Sequence, residues 1–136
     1  TSSRRQRQMC IRDSFNNSAG KIGPEGVGSG TSAGTLQKLE WIKAGAGDRF
    51  SEIEIEIAAY FTVITDHSDV VANEFAKLFN LSSSEILDHP HCLIGQTSEI
   101  IERIQQRREE FGINYITFGG AAIDDVAPIV EALSGT

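Results

Sequence analysis

The stretch IEIEIAAYFTVIT, residues 53–65, decides how this chain is read. Its first half alternates, with Ile53, Ile55 and Ile57 on one face and Glu54 and Glu56 on the other, which is the period of a strand. Its second half is almost wholly apolar, as a strand must be when helices cover both faces of a parallel sheet. One long strand, Ile53 to Thr65, is therefore expected. The two glutamates have the residue type of paired catalytic acids, but near the start of a strand they read as a solvated rim. A second strand, INYITF (113–118), follows a helical segment. Strands spaced by helices imply parallel pairing through right-handed crossovers.

The flanking segments carry helical periods. Ahead of the strand, from Thr35, residues Leu36, Leu39, Ile42 and Ala46 recur three or four apart, and Gly47 supplies a stop. Trp41, beside that stripe, reads as packing. After the strand, Asp66 or Ser68 is positioned to cap a helix that buries Val71, Phe75, Leu78 and Phe79 and ends at Asn80. Ser82 and Glu85 have capping-box spacing for a short turn closed by Pro90. Gly95 and Thr97 introduce a long helix with Ile100, Ile101, Ile104 and Phe111 inward, ended by Gly112. Its outer face, Glu102, Arg103, Arg107, Arg108, Glu109 and Glu110, reads as solvated. Past the second strand come Gly119, Gly120 and a last helix through Val126, Ile129, Val130 and Leu133, where Pro128 fits only the first turn. The order is helix, strand, helix, short helix, helix, strand, helix. Two strands are too few for a parallel sheet, since each needs neighbours on its hydrogen-bonding edges. The pattern asks for a remainder.

Composition bounds the function classes. The chain has 136 residues, 40% hydrophobic and 23% charged, ordinary for a globular protein. No stretch approaches the roughly 18 consecutive apolar residues of a spanning helix. Two cysteines, Cys10 and Cys92, make no disulfide scaffold, and a reducing cytoplasm is the expected compartment. A net charge of −7 argues against a nucleic-acid binder. That charge is unevenly placed. Residues 1–14, TSSRRQRQMCIRDS, carry +3, so residues 15–136 carry −10. The first fourteen could be a basic arm for a partner. The string RRQRQMCIRDS instead resembles translated sequencing-adapter read-through, of the kind found in gene models assembled from environmental (metagenomic) DNA. Residues 1–14 are therefore read as an artefactual or disordered tail, Cys10 as irrelevant to chemistry, and the chain as a fragment. Residues 15–34 read as a Gly-rich loop, and their GVGSGTSAG matches neither the P-loop nor GxGxxG.

The chemistry-bearing residue types are few. DHPHC, residues 88–92, is the one cluster of metal-ligand types, and it lacks the second pair a structural zinc site needs. Pro90 between two histidines reads as shaping a loop into the next helix. Cys92 would need an activating base to act as a nucleophile, and there is no GxSxG elbow. Asp124 and Asp125 read as helix-capping acids. In a parallel barrel, reactive groups project from the C-terminal ends of strands. Those ends are Thr65 with Asp66, and Phe118 with Gly119 and Gly120, which are the candidate cofactor-binding or substrate-pocket residues.

Four segments carry a resemblance: LEWIKAGAGDRFSEIEIEI (39–57), AYFTVITD (59–66), HPHCLIGQTSEIIERIQQRREEFGINYITF (89–118) and VAPIVEALSGT (126–136). From about Leu36 to Thr136 the chain resembles the C-terminal part of the luciferase-like monooxygenase superfamily, most closely its deazaflavin (F420)-dependent oxidoreductases. The resemblance implies a (β/α)8 TIM barrel, of which residues 35–136 would supply the last two strands and their helices. It implies coenzyme F420 in the full-length parent, or FMN with oxygen as co-substrate, and hydride transfer to or from a small organic substrate. The implied partners are the missing N-terminal barrel half of the same protein, that small-molecule substrate and, as a further option, a second copy. The superfamily's glycine-rich phosphate-binding segment has no counterpart here, so no catalytic residue is carried over and this piece alone is expected to be inactive. The competing reading is a small non-enzymatic α/β interaction domain with a basic N-terminal arm.

Overall fold

The computed structural model describes residues 24–136. Residues 1–23, including the adapter-like tail and the first part of the Gly-rich segment, lie outside the described residues. The fold is mixed α/β with small parallel sheets. In chain order the elements are α1 (Pro24–Ser29), α2 (Ser32–Ala46), a 3-10 helix (Gly47–Glu52), β1 (Ile55–Ala59), β2 (Phe61–Ile64), α3 (Ser68–Phe79), α4 (Ser83–Asp88), β3 (Cys92–Gly95), α5 (Thr97–Phe111), β4 (Ile113–Phe118) and α6 (Ile123–Leu133).

The long strand is two strands. Tyr60 interrupts it, and the two halves pair with different partners, β1 with β4 and β2 with β3, both in parallel. The break is held by Ala59, whose carbonyl accepts from the Gly119 N–H (2.9 Å) and from the buried Thr62 hydroxyl (3.1 Å). Burial changes parity across it: Ile55, Ile57 and Ala59 are buried before Tyr60, Thr62 after. The β1–β4 register contains a bulge. Ile55 pairs with Ile113 and Glu56 with Tyr115, leaving Asn114 between them. The Asn114 Oδ1 accepts the Ile55 N–H at 3.0 Å, replacing the ladder bond the bulge removes.

That bulge sorts the β1–β4 side chains. Ile57 pairs with Ile116 and Ala59 with Phe118, and these side chains join the apolar clusters that include Leu39 of α2, Ile100 and Ile104 of α5 and Ile129 of α6. Glu56 pairs with Tyr115 and Ala58 with Thr117 on the opposite face. Among the described residues that face joins no apolar cluster, and Tyr115 is 47% exposed. The β2–β3 pair is built differently. Every residue of β3 is buried, and Phe61 of β2 stacks with Phe75 and Phe79 of α3 at centroid distances of 5.3 and 5.2 Å.

Several expectations need correcting. β3 is a strand inside the segment read as a loop entering the long helix, because residues 92–95 are short, apolar and completely buried. The described strands therefore number four rather than two. Residues 24–34 are not simply a loop: α1 forms there and buries Val27, and α2 starts at Ser32, capped by the Thr31 hydroxyl. Tertiary contact overrides the low helix propensity of glycine at these sites. Trp41 does not pack; it is 66% exposed, and Leu36 is exposed too. Leu78 also points out, leaving Ala72, Ala76 and Phe79 as the buried stripe of α3. The N-cap position of α3 is His67 rather than Asp66 or Ser68, and the Thr65 hydroxyl accepts the His67 N–H at 3.0 Å. In α6, Pro128 sits inside the helix and Val130 is exposed. Asn80 in the left-handed conformation, the Ser82–Glu85 capping box and the Gly112 stop are as the sequence implies.

Candidate functional site

The strand-end residues separate into two places. Phe118, Gly119 and Gly120 lie beside the Ala59–Tyr60 break. The Phe118 side chain packs into the core with Ile100, Ile104 and Ile129. Gly120 has φ +80, and a Cβ there would stand 3.0 Å from the Tyr60 carbonyl oxygen, so this backbone approach needs glycine. Thr65 sits at the far end of β2, its N–H bonded to the Gly95 carbonyl at 3.0 Å, and Asp66 beside it is exposed. Six residues of extended chain, at roughly 3.3 Å each, separate Ala59 from Thr65. The bonding partners therefore tie the two groups to different sheets. Tyr60, exposed by about a third, lays its backbone against the glycine pair and stacks its ring on His91 (centroids 6.3 Å).

The densest polar arrangement is elsewhere, around the turn from α4 into β3. Arg107 reaches it from α5 with only 5% exposure. Its guanidinium donates to the carbonyls of Leu87 (3.3 Å), His89 (2.8 Å), Pro90 (3.1 Å) and Cys92 (3.0 Å). Arg103, one turn earlier, donates to the Ile94 carbonyl at 3.1 Å. The fork of guanidinium donors suits carbonyls fanned across a tight turn. The structure corrects the expectation that Arg107 belongs to a solvated face. The signal that places it inside is spacing: Ile100, Ile104, Arg107 and Phe111 recur four, three and four apart, so Arg107 belongs to the buried stripe.

The two histidines complete this turn. The His89 Nδ1 accepts the His91 backbone N–H (3.3 Å), which leaves Nε2–H to donate to the Val27 carbonyl of α1 at 2.7 Å. Both ring nitrogens are thus used by a neutral ring. The His91 Nδ1, 2.8 Å from the Ala58 carbonyl, is the donor to β1. Burial lowers the basicity of both rings; Arg107 and Lys38 add charge repulsion at each and the His89 ring adds to it at His91, while the bond to Val27 acts the other way at His89. Burial pushes the Cys92 thiol up to about 12, and it lowers Arg107 to about 10. Cys92 is consequently a thiol at neutral pH and a poor nucleophile. The DHPHC segment shapes a strand entry rather than a helix entry, and its imidazoles serve the backbone.

A cavity of about 20 Å³ lies at the start of β1, with Thr35, Lys38, Glu56 and His91 as its polar lining. That volume holds about one water. It is far too small for a ring cofactor, and it sits at the end of the strands opposite to Gly119 and Gly120. None of the described helices is long and apolar enough to cross a membrane. Comparison of the chain with protein-family models, curated proteins and solved structures finds no match.

Proposed function

We propose that this chain is the C-terminal part of a luciferase-like, deazaflavin-dependent oxidoreductase, supplying two neighbouring strands, β1 and β4, to a (β/α)8 barrel. One observation supports the reading beyond the sequence resemblance: those two strands pair in parallel, with one face packed into apolar clusters and the other, where Tyr115 is nearly half exposed, joining none among the described residues. A barrel strand has this division, with helices outside and layered side chains inside. On this reading Glu56, Ala58, Tyr115 and Thr117 face the barrel interior, and the unpaired edge of β4 receives a strand from the rest of the parent. β2 and β3 then form a small extension beyond the barrel rim.

The described residues offer a bare-backbone rim at Gly119 and Gly120, flanked by Tyr60, and no phosphate-binding group beside it. The groups that hold the cofactor are therefore assigned to the remainder of the parent. The deazaflavin supplies hydride chemistry when bound; this chain's share is to wall the pocket and exclude water. Phe118 drops out of the pocket on this reading because its side chain serves the core. Thr65 and Asp66 would border the pocket only through the β2–β3 extension. Expression of the complete reading frame tests the proposal. The expected result is repeated strand–helix units ahead of Phe15 and a deazaflavin absorption spectrum in the purified protein. A copurifying FMN with oxygen consumption moves the assignment to the monooxygenase branch. A parent without such units, or one that takes up neither ring, sinks the proposal.

A further inference from the structure

We infer that the turn from Asp88 to Cys92 is an acid-sensitive latch: neutral His89 and His91 hold α1 and β1 to the entry of β3, and proton uptake at His89 releases α1. The inference rests on local geometry alone and stands or falls separately from the barrel reading. His89 uses both ring nitrogens in its neutral form, one donating to Val27 of α1 and one accepting from the His91 N–H. A second proton would have to sit on Nδ1, directly facing that N–H. Donor would meet donor, so the proton can be taken up only if the turn opens. His91, on the same turn, holds the Ala58 carbonyl of β1 through Nδ1–H.

The surrounding charges oppose the second proton. Arg107 comes from α5 and is bonded to the carbonyls of this same turn; Arg103, one turn earlier, lies farther along on the Ile94 carbonyl. Lys38 comes from α2, on the wall of the cavity that His91 also lines. The acids nearby are Asp88, exposed at the end of α4, and Glu56 of β1 across that cavity; Cys92 of β3 stays a neutral thiol and the Tyr60 ring stacks on His91. Burial lowers His89 from its ordinary value of 6.5. The sign follows. The open form binds its proton more readily than the latched form, so the latch is at full strength above pH about 6.5 and weakens as pH falls below it. One proton gives at most about a tenfold change per pH unit.

Hydrogen exchange on the 136-residue chain between pH 7.5 and 5.5 is the test, with intrinsic exchange rates divided out. The amides of residues 24–35 include Gly30, bonded to the Val27 carbonyl, and Thr35, bonded to the Thr31 carbonyl. Their protection should fall several-fold to tenfold per pH unit below 6.5, while β3 amides lose less. His89→Gln keeps a donor for Val27 and removes the titration, so its profile should be flat; His67→Gln, at an exposed histidine, should leave the wild-type profile unchanged. The His89 ring proton signal read by NMR guards against a variant that does not fold. The latch is overturned by a flat wild-type profile, by a pH dependence that survives His89→Gln, or by a His89 signal that titrates at its denatured-chain value.

Discussion

The two strand pairs of this molecule make opposite provisions for their surroundings. β2–β3 is closed off from within: all of β3 is buried, Phe61 of β2 packs on Phe75 and Phe79 of α3, a guanidinium satisfies the carbonyls of the turn that leads in, and two imidazoles tie that turn to α1 and β1. β1–β4 closes one face only. Ile57, Ala59, Ile116 and Phe118 are packed into apolar clusters, while on the opposite face Ala58 and Tyr115 join none among the described residues. One pair thus carries its own polar solution. The other has one face that joins no apolar cluster among the described residues, which is the feature on which the proposed barrel reading rests.

The largest effect should come from the closed half. Arg107→Ala strips the donors from four carbonyls of one buried turn. Leaving buried acceptors bare costs about 1–3 kcal/mol each, shared where the turn can relax, so a loss of roughly 4 kcal/mol is expected. A urea midpoint read alongside wild type measures it, and Arg107→Lys should recover part. An Arg107→Ala chain as stable as wild type would show that the closed half does not depend on this guanidinium. Ile100→Ala comes next. Ile100 is fully buried where β3, α5 and α6 meet, so about 3 kcal/mol should be lost at the same measurement.

How much of this was legible depends on which physical signal dominated. Strand β4, helices α3 and α5, the Ser82–Glu85 box and the Asn80 stop follow from period and capping chemistry, which act within a few residues. The break at Tyr60 does not, because an apolar run such as AAYFTVIT reads the same whether one partner strand flanks it or two do. Nor does β3: four buried residues after a His-Pro-His turn are too short to show a period. At the candidate site the glycine pair was found from its place after a strand. The charge of Arg107 suggests a solvated face while its spacing points inward, and the roles of His89 and His91 depend on carbonyls 62 and 33 residues away in the chain, respectively. Long-range hydrogen bonds of that kind leave no local pattern.

The bulge gives a smaller test within the open half. Asn114→Ala removes the side-chain acceptor for the Ile55 N–H. A loss of about 1 kcal/mol is expected, the net worth of one partly exposed hydrogen bond. Asn114→Asp keeps an acceptor and should recover most of it. If Asn114→Ala costs nothing, the bulge is held by the apolar contacts of Ile55 and Ile113 instead.

The smallest effect is the most discriminating. Tyr115 stands on the open face, nearly half exposed and paired across the sheet with Glu56. Tyr115→Ala should change the stability of the 136-residue chain by less than about 0.5 kcal/mol, as surface substitutions do. If the proposed barrel reading holds, the same change in the complete parent should cost roughly 3 kcal/mol, because an aromatic side chain deleted from a packed barrel interior leaves a cavity. The contrast between the two hosts, rather than either value, carries the test. Equal small losses in both would place this face at a surface in the parent too and remove the barrel interior from the account. Equal large losses would mean that Tyr115 is already packed in the chain alone, closing the face that separates β1–β4 from β2–β3.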